Sequence, residues 1–330
     1  MRLTLIYCMV RKMNKIKLPL SVFAIAASCA LLLAACGGDE DSGSTDSRLS
    51  VTAGFYPLYE AARAIGGDQA DVVNLTPTGT GPHDLELTPK TVAEVEDADL
   101  NLYLGQDFQP AVEKAVAQSS GGSVDLLDGI QLRPADDGIP GVEGEVDGER
   151  LAGGMDPHVW VDPVRFLEIV DEITAAYIEA DSGNADTWKK NARAYSAGLE
   201  SLDDDFQKAL RNCATRTLVT SHAAFGYLAD RYGLVQAPIA GISPDDEPNP
   251  QSIAAVARRA EQDGVKTVFF ETLVPRKLAD TVAEEIGARS DALDPVEGLD
   301  AEGEEAGKTY ESIQQDNMER LRTGLGCTTT

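Results

Sequence analysis

The sequence predicts an α/β protein with two domains, each a parallel sheet sandwiched by helices, and one long helix running between them. Three observations carry this. Strand-like and helix-like segments alternate in two separate runs, and such alternation closes into parallel sheets with helices on their faces. Between the runs lies a 29-residue stretch, 184–212, without proline and with apolar residues at helical spacing. The chain has 330 residues and 43% hydrophobic content, enough for two cores of ordinary size.

The first 35 residues stand outside this fold. Arg2, Arg11, Lys12, Lys15 and Lys17 form a basic leader, and Leu18 to Ala35 carries no charge, the pattern of an export signal. The stretch from Met13 onward is a complete leader by itself. The apolar run is at the short end for a membrane span. "LAAC", Leu33 to Cys36, resembles a bacterial lipobox, which implies cleavage before Cys36 and a lipid on its thiol. Cys29 is a weaker candidate, because no large aliphatic residue stands in the matching place and the apolar run continues past it. Residues 36–47 read as a flexible, solvated tether.

Removing residues 1–35 deletes five cations and no anion, which takes the net charge from -27 to -32. A binder of nucleic-acid phosphates needs a basic face, so that class is excluded. The acidity itself names no partner and serves solubility. Of the five cysteines, Cys213 and Cys327 remain as an even pair in an exported domain, which points to a disulfide tying the start of the second domain to the C-terminus.

The first domain is expected over 48–183. "RLSVTAGF" (48–55) is a β-rich opening, and "PLYEAARAIGG" (57–67) has helical spacing and a glycine stop. "ADVVNL" is a second strand, followed by the Pro/Gly-punctuated loop "TPTGTGPHDLELTP". "PKTVAEVEDA" (89–98) reads as a helix capped by Thr88. "DLNLYLG", "FQPAVEKAVA" and "SVDLLDG" continue as strand, helix and strand. Residues 133–155 form an acidic, glycine-rich surface insert, and 163–180 an amphipathic helix. In the linking segment 184–212, Tyr195, Leu199, Leu202, Phe206 and Leu210 make the helical stripe, and its span of about 43 Å exceeds one small domain. The second domain, 213–330, resumes the alternation from "TRTLVTS" and ends in a closing helix over 304–326.

The chain has three histidines, His83, His158 and His222, each in a loop near the end of a strand-like segment. Ligands of open α/β sheets bind beyond the carboxyl ends of the strands, so all three are placed to converge on one cleft. Taken singly, each would more often be a hydrogen-bonded structural residue, and none has the spacing of a strong metal motif. The joint placement, two in the first domain and one in the second, carries the inference. His158 stands between two Asp-Pro pairs in "MDPHVWVDP". Proline forces the residue before it into extended geometry, which predicts a short, rigid, extended segment that loses little entropy on binding.

"GPHDLELTP", "DPHVWVDP", "TSHAAFGYLADRYGL", "GISPDDEPNP" and "ETLVPRKLADTVAEEIGA" resemble, in order and over nearly the whole chain past the leader, segments of the bacterial zinc/manganese substrate-binding lipoproteins of ABC transporters. The resemblance implies two similar α/β lobes joined by one long rigid linking helix, with a metal ion bound between them. It implies a monomeric, extracytoplasmic, lipid-anchored receptor that hands its cargo to the permease and ATPase subunits of an importer. Carried over residue by residue, His83 and His158 match the first-lobe ligands and His222 the third ligand. In "LDPVEGLD" the family's carboxylate follows a proline and one residue, which selects Glu297, with Asp294 and Glu271 as rivals. Asp156 and Asp162 resemble turn and cap residues, with an outer hydrogen bond to an imidazole open to them.

Three imidazoles and one carboxylate make a four-coordinate set that suits Zn²⁺, whereas Mn²⁺ prefers more oxygen and more ligands. In the family's manganese-type members the His222 position resembles a glutamate, so zinc is the expected cargo, with Mn²⁺ as the alternative. One departure is that zinc-type members often carry a His-rich loop where residues 133–155 here have none. A closed four-ligand site leaves no position for an activated water, and "SHAAF" is no nucleophile elbow, so no enzyme activity is expected. A long linking helix should resist a wide hinge, so release is expected to need only a modest lobe shift on docking. The other readings are a manganese or iron receptor, a zinc hydrolase, and a surface adhesin in which metal is structural.

Overall fold

The computed structural model describes residues 48–83, 85–135, 154–246, 248 and 250–328. The expected export signal, the Cys36 lipobox, the tether and residues 136–153 of the insert lie outside them. Among the described residues, no helix is long and apolar enough to cross a membrane.

Two four-stranded, all-parallel sheets organise the chain. The first holds β1 (Leu49–Ala53), β2 (Ala70–Asn74), β3 (Leu100–Tyr103) and β4 (Gly122–Asp125) in the order β2-β1-β3-β4. The second holds β5 (Thr217–Thr220), β6 (Val235–Pro238), β7 (Thr267–Phe270) and β8 (Arg289–Ala292) in the order β6-β5-β7-β8. Central β5 is buried along its whole length, as a strand covered on both faces must be, whereas edge strand β2 alternates between exposed and partly buried positions after Ala70. In each sheet the chain turns from one side of its first strand to the other, so the crevice between β1 and β3, or between β5 and β7, opens at the carboxyl ends.

Proline and side-chain caps set the helix starts. Helix α1 (Tyr56–Gly66) has Pro57 in its first turn. Helix α2 (Pro89–Asp97) is capped by Thr88, whose hydroxyl accepts from the Thr91 N–H at 3.2 Å. Helix α3 (Pro110–Val116) leads into β4. Helix α4 (Pro163–Ala180) begins where the sequence places it, because Asp162 caps it by accepting from the Val164 N–H at 2.9 Å and Pro163 fills its first position.

The linking helix α5 runs Ala185–Ala209, 25 residues, or about 38 Å. It ends three residues short of the expected 212. There the Arg216 guanidinium takes up the carbonyls of Leu210 (2.8 Å) and Arg211 (2.6 Å), which no further helical turn satisfies. Its buried face, from Trp188 to Phe206, packs on α1, on α4 and on the C-terminal helix α10 (Tyr310–Gly324).

The second lobe adds α6 (Gly226–Tyr232), α7 (Pro250–Gln262), α8 (Lys277–Glu285) and α9 (Ala301–Glu305). The expected single closing helix over 304–326 is two helices, α9 and α10. Gly307 sits at φ +65, a left-handed position that breaks the helix, and Thr309 starts the next with a capping box to Ser312.

The largest apolar cluster runs without interruption from Val51 and Ile65 through Trp160, Leu199 and Phe206 to Phe269, Val296 and Tyr310. The two sheets therefore share this core around the linking helix, while a separate cluster of Val219, Val268, Val256 and Val282 packs within the second lobe. Cys213 and Cys327 are joined by a disulfide, and backbone bonds from Ala214 N to Leu325 O (3.0 Å) and Thr328 N to Asn212 O (2.9 Å) close the same seam.

Candidate metal centre

His222 is two residues past β5 and Glu271 one residue past β7, so the two face each other across the crevice of the second sheet. Glu271 accepts the His222 backbone N–H with Oε1 (3.0 Å) and pairs with Nδ1 through Oε2 (2.6 Å). The His222 carbonyl in turn accepts from Thr220 Oγ1 (2.7 Å) and Gln236 Nε2 (3.0 Å). His158 is held by the same device with a nearer partner. Asp156 Oδ1 accepts its backbone N–H (2.9 Å) and pairs with Nδ1 (2.8 Å). A carboxylate against Nδ1 puts the proton there and leaves Nε2 free to bind a metal.

The expectation of an extended His158 segment is corrected. His158 has φ -75 and ψ 39 and opens a single 3₁₀ turn, Val159–Val161. The two prolines constrain only the residues before them. Asp162 is extended as expected (φ -91, ψ 113), while His158 remains free to turn. The Val161 N–H closes that turn onto the His158 carbonyl at 3.4 Å, and the Asp162 N–H onto the Val159 carbonyl at 3.3 Å.

His83 comes from the loop after β2, which a bond from Gly79 N to Leu299 O (2.7 Å) ties to the second lobe. Its ring lies edge-on to the buried Phe108 ring, centroids 5.0 Å apart. Glu297 comes from the loop after β8 and is buried.

The structure brings His83, His158, His222 and Glu297 together, one ligand atom from each lying within 4.8 Å of all the others. Glu297 Oε1 is 3.3 Å from His83 Nε2, 3.5 Å from His158 Nε2 and 3.4 Å from His222 Nε2, and the last two nitrogens are 3.4 Å apart. A tetrahedral zinc ion with ligands at about 2.0–2.1 Å requires ligand atoms about 3.3 Å apart, so the donor set fits that ion in both chemistry and size. The rivals stand elsewhere. Glu271 supports His222, and Asp294 turns its carboxylate to the Val296 N–H (2.7 Å) and the Thr272 hydroxyl (3.1 Å). Asp156 backs His158, and Asp162 caps α4.

Electrostatics divide the three imidazoles. Burial would depress His222, but Glu271 and then Glu297 outweigh it and push it up to about 10. Burial likewise opposes His158, and the bonds to Asp156 and Glu297 raise it. At His83 burial wins over Glu297 and the imidazole is lowered. Glu297 itself is held well below the usual carboxylate range, because the three histidines overcome its burial. Sequence reasoning missed Phe108 and Trp160, whose rings lie 5.3 Å apart and wall the site on the first-lobe side. Trp160 was within reach, being the second residue after His158 and one of only two tryptophans in the chain.

The model of the family described as zinc-uptake complex component A, periplasmic, matches residues 51–324. The high-affinity zinc uptake system protein ZnuA of Bacillus subtilis is 38% identical over 315 residues, covering 92% of this chain and 97% of that protein. The zinc-binding lipoprotein AdcA of Streptococcus pneumoniae is 34% identical over 309 residues, covering 90% of this chain but 59% of AdcA, so the chain spans little more than half of that relative. Among solved structures, the Zn(II)-bound ZnuA-like domain of that AdcA superposes with a TM-score of 0.70 at 31% identity, covering 84% of this chain and 99% of that one. The laminin-binding protein of Streptococcus agalactiae, described as bifunctional with adhesin and metal transporting activity, superposes with a TM-score of 0.74 at 29% identity, covering 84% and 99%.

Proposed function

The chain belongs to the ZnuA family of zinc-uptake substrate-binding proteins, and from that premise we propose that His83, His158, His222 and Glu297 are the four ligands of the single zinc ion it carries. It captures zinc between its two lobes for an ABC importer, a reading supported by its likeness to a high-affinity zinc uptake system protein and to a Zn(II)-bound domain. One observation carries the ligand assignment: four donors from both lobes converge, with Glu297 Oε1 3.3–3.5 Å from all three imidazole nitrogens and no fifth His, Cys, Asp or Glu in the group among the described residues.

The family is one of transport proteins and not of enzymes. For this chain the same reading gives capture without turnover, since four protein ligands fill the tetrahedron and leave no place for a zinc-activated water. The partners are a permease and an ATPase, and the chain works as a monomer. Residues 1–35 are its export signal, Cys36 its lipid anchor on the outer face of the cell membrane, and 36–47 its tether. The lobes are 48–183 and 213–330, with 184–212 linking them. AdcA, a relative, is itself a lipoprotein, which supports the anchor.

The test is a titration of metal-stripped protein with zinc and with manganese, each against chelators of known affinity, for wild type and His222→Glu. Tight one-to-one zinc binding by wild type, with the preference for zinc weakened in the variant, is the expected result. Manganese binding equal to or tighter than zinc would overturn the cargo while leaving the receptor. A second reading adds surface adhesion to zinc capture, favoured by the likeness to the Streptococcus agalactiae protein. Immobilised laminin that fails to retain the zinc-loaded chain would remove it.

A further inference from the structure

Glu297 reaches the other donors from strained backbone. Val296, beside it, sits at φ +60. A β-branched residue in the left-handed region is a genuine outlier, and such a conformation persists only where the surroundings over-determine it. Three groups do so here. Asp294 Oδ1 accepts the Val296 N–H at 2.7 Å. The Asn317 amide on α10 clamps the Asp294 backbone twice, accepting its N–H (2.9 Å) and donating to its carbonyl (2.7 Å). The Trp160 indole N–H donates to the Pro295 carbonyl at 2.8 Å. The first two lie within the second lobe. Only the third crosses from the first lobe, and it comes from the segment that carries His158.

The indole is itself immobilised. Its residue is fully buried, its ring lies 4.7 Å from that of Phe55 and 5.0 Å from that of His158, and its backbone carbonyl accepts from the Tyr310 hydroxyl at 2.6 Å. A buried indole needs an acceptor somewhere. This one is the carbonyl of the residue before the strained position and two before the carboxylate.

We propose that Trp160 is a positioning residue for the fourth ligand: its indole N–H holds the strained Pro295–Val296–Glu297 turn of the opposite lobe in the one conformation that presents Oε1 to the three imidazoles. A parting of the lobes that draws Trp160 away from Tyr310 breaks that bond as well, lets Val296 relax and withdraws the carboxylate. The inference rests on Glu297 being a zinc ligand.

The experiment compares wild type, Trp160→Phe and Glu297→Gln, loaded with cobalt(II) for visible absorption and with zinc for chelator-competed dissociation. The expected result is that Trp160→Phe shifts the cobalt spectrum toward that of Glu297→Gln and weakens zinc binding about tenfold, mostly through faster release. A cobalt spectrum identical to wild type and zinc affinity within about twofold would overturn the positioning role, whatever the thermal stability does. Glu297→Gln unchanged in both readouts would overturn the ligand assignment first and the positioning role with it. Should Trp160→Phe fail to fold, benzothienylalanine at position 160 keeps the shape and replaces N–H by sulfur, and the same two readouts decide. In a Val296→Gly background, where the turn carries no strain, the loss caused by Trp160→Phe should shrink. Losses that simply multiply would overturn the strain coupling.

Discussion

At the scale of single residues, the centre is defined by what stands behind each imidazole. Glu271, bonded to Nδ1, favours the charged form of His222, whose Nε2 proton zinc must displace, so apparent affinity rises with pH, about tenfold per unit for each proton displaced. The sign follows from the raised value: below about 10 the metal-free His222 is charged, and every unit of acidification adds to the cost of removing its proton. Glu271→Gln should weaken zinc binding about 10- to 100-fold at high pH. The gap from wild type should narrow toward pH 6, because the variant has less of a proton to displace; competition titrations across pH check both. The three histidines that meet at the proposed site could be picked out in the sequence because the chain has so few and places each beyond a strand. The carboxylate was not separable from Asp294 and Glu271 by residue type. All three lie in loops after strands, and only the fold turns one of them inward. Nor could the sequence show that His158 opens a 3₁₀ turn, since the prolines beside it restrain their predecessors and not the histidine.

Among the elements, the linking helix is fastened by Asp203. Its carboxylate receives Arg231 through two bonds of 2.6 Å and the Tyr232 hydroxyl at 3.0 Å, while Arg231 also lies 3.3 Å from Asp162 at the cap of α4. Asp203→Asn should cost about 1–2 kcal/mol in urea unfolding at neutral pH, since it removes the bidentate partner of a partly buried guanidinium and leaves it Asp162 alone. Burial opposes the ionised form of Asp203, but Arg231 and Tyr232 outweigh it and lower its value. Its contribution is therefore present above 3.8 and lost as pH falls through the lower folded value, so the variant should show a flatter acid limb. The Thr309 cap is a smaller case, and Thr309→Ala should cost about 1 kcal/mol in the same assay. Helix α4 was readable to the residue because Asp162-Pro163 marks its start. The closing helix was misread because apolar spacing carries on past Gly307, and the left-handed φ there is invisible to a periodicity count.

For the molecule as a whole, the shared core limits how far the lobes can part, while the disulfide closes the second lobe on itself. The bond between Cys213 and Cys327 closes a sequence separation of 114 residues. Replacing both by serine should cost about 2–5 kcal/mol, seen as a lower melting temperature that reducing agent no longer affects. The β–α rhythm disclosed two sheets, and the 29-residue stripe disclosed the helix between them. That the apolar cluster continues from one sheet to the other depends on which helix faces meet, and no periodicity encodes it. Since Glu271 favours the charged form of the imidazole in front of it, one doubly positive ion entering drives a proton out from Nε2 of His222. Capture is then in part an exchange of one cation for another, and the buried chamber gains less charge than the ion brings. Calorimetry in buffers of different ionisation heat should count at least one proton released per zinc near neutral pH, and the handover to the importer should take it back from the surrounding fluid.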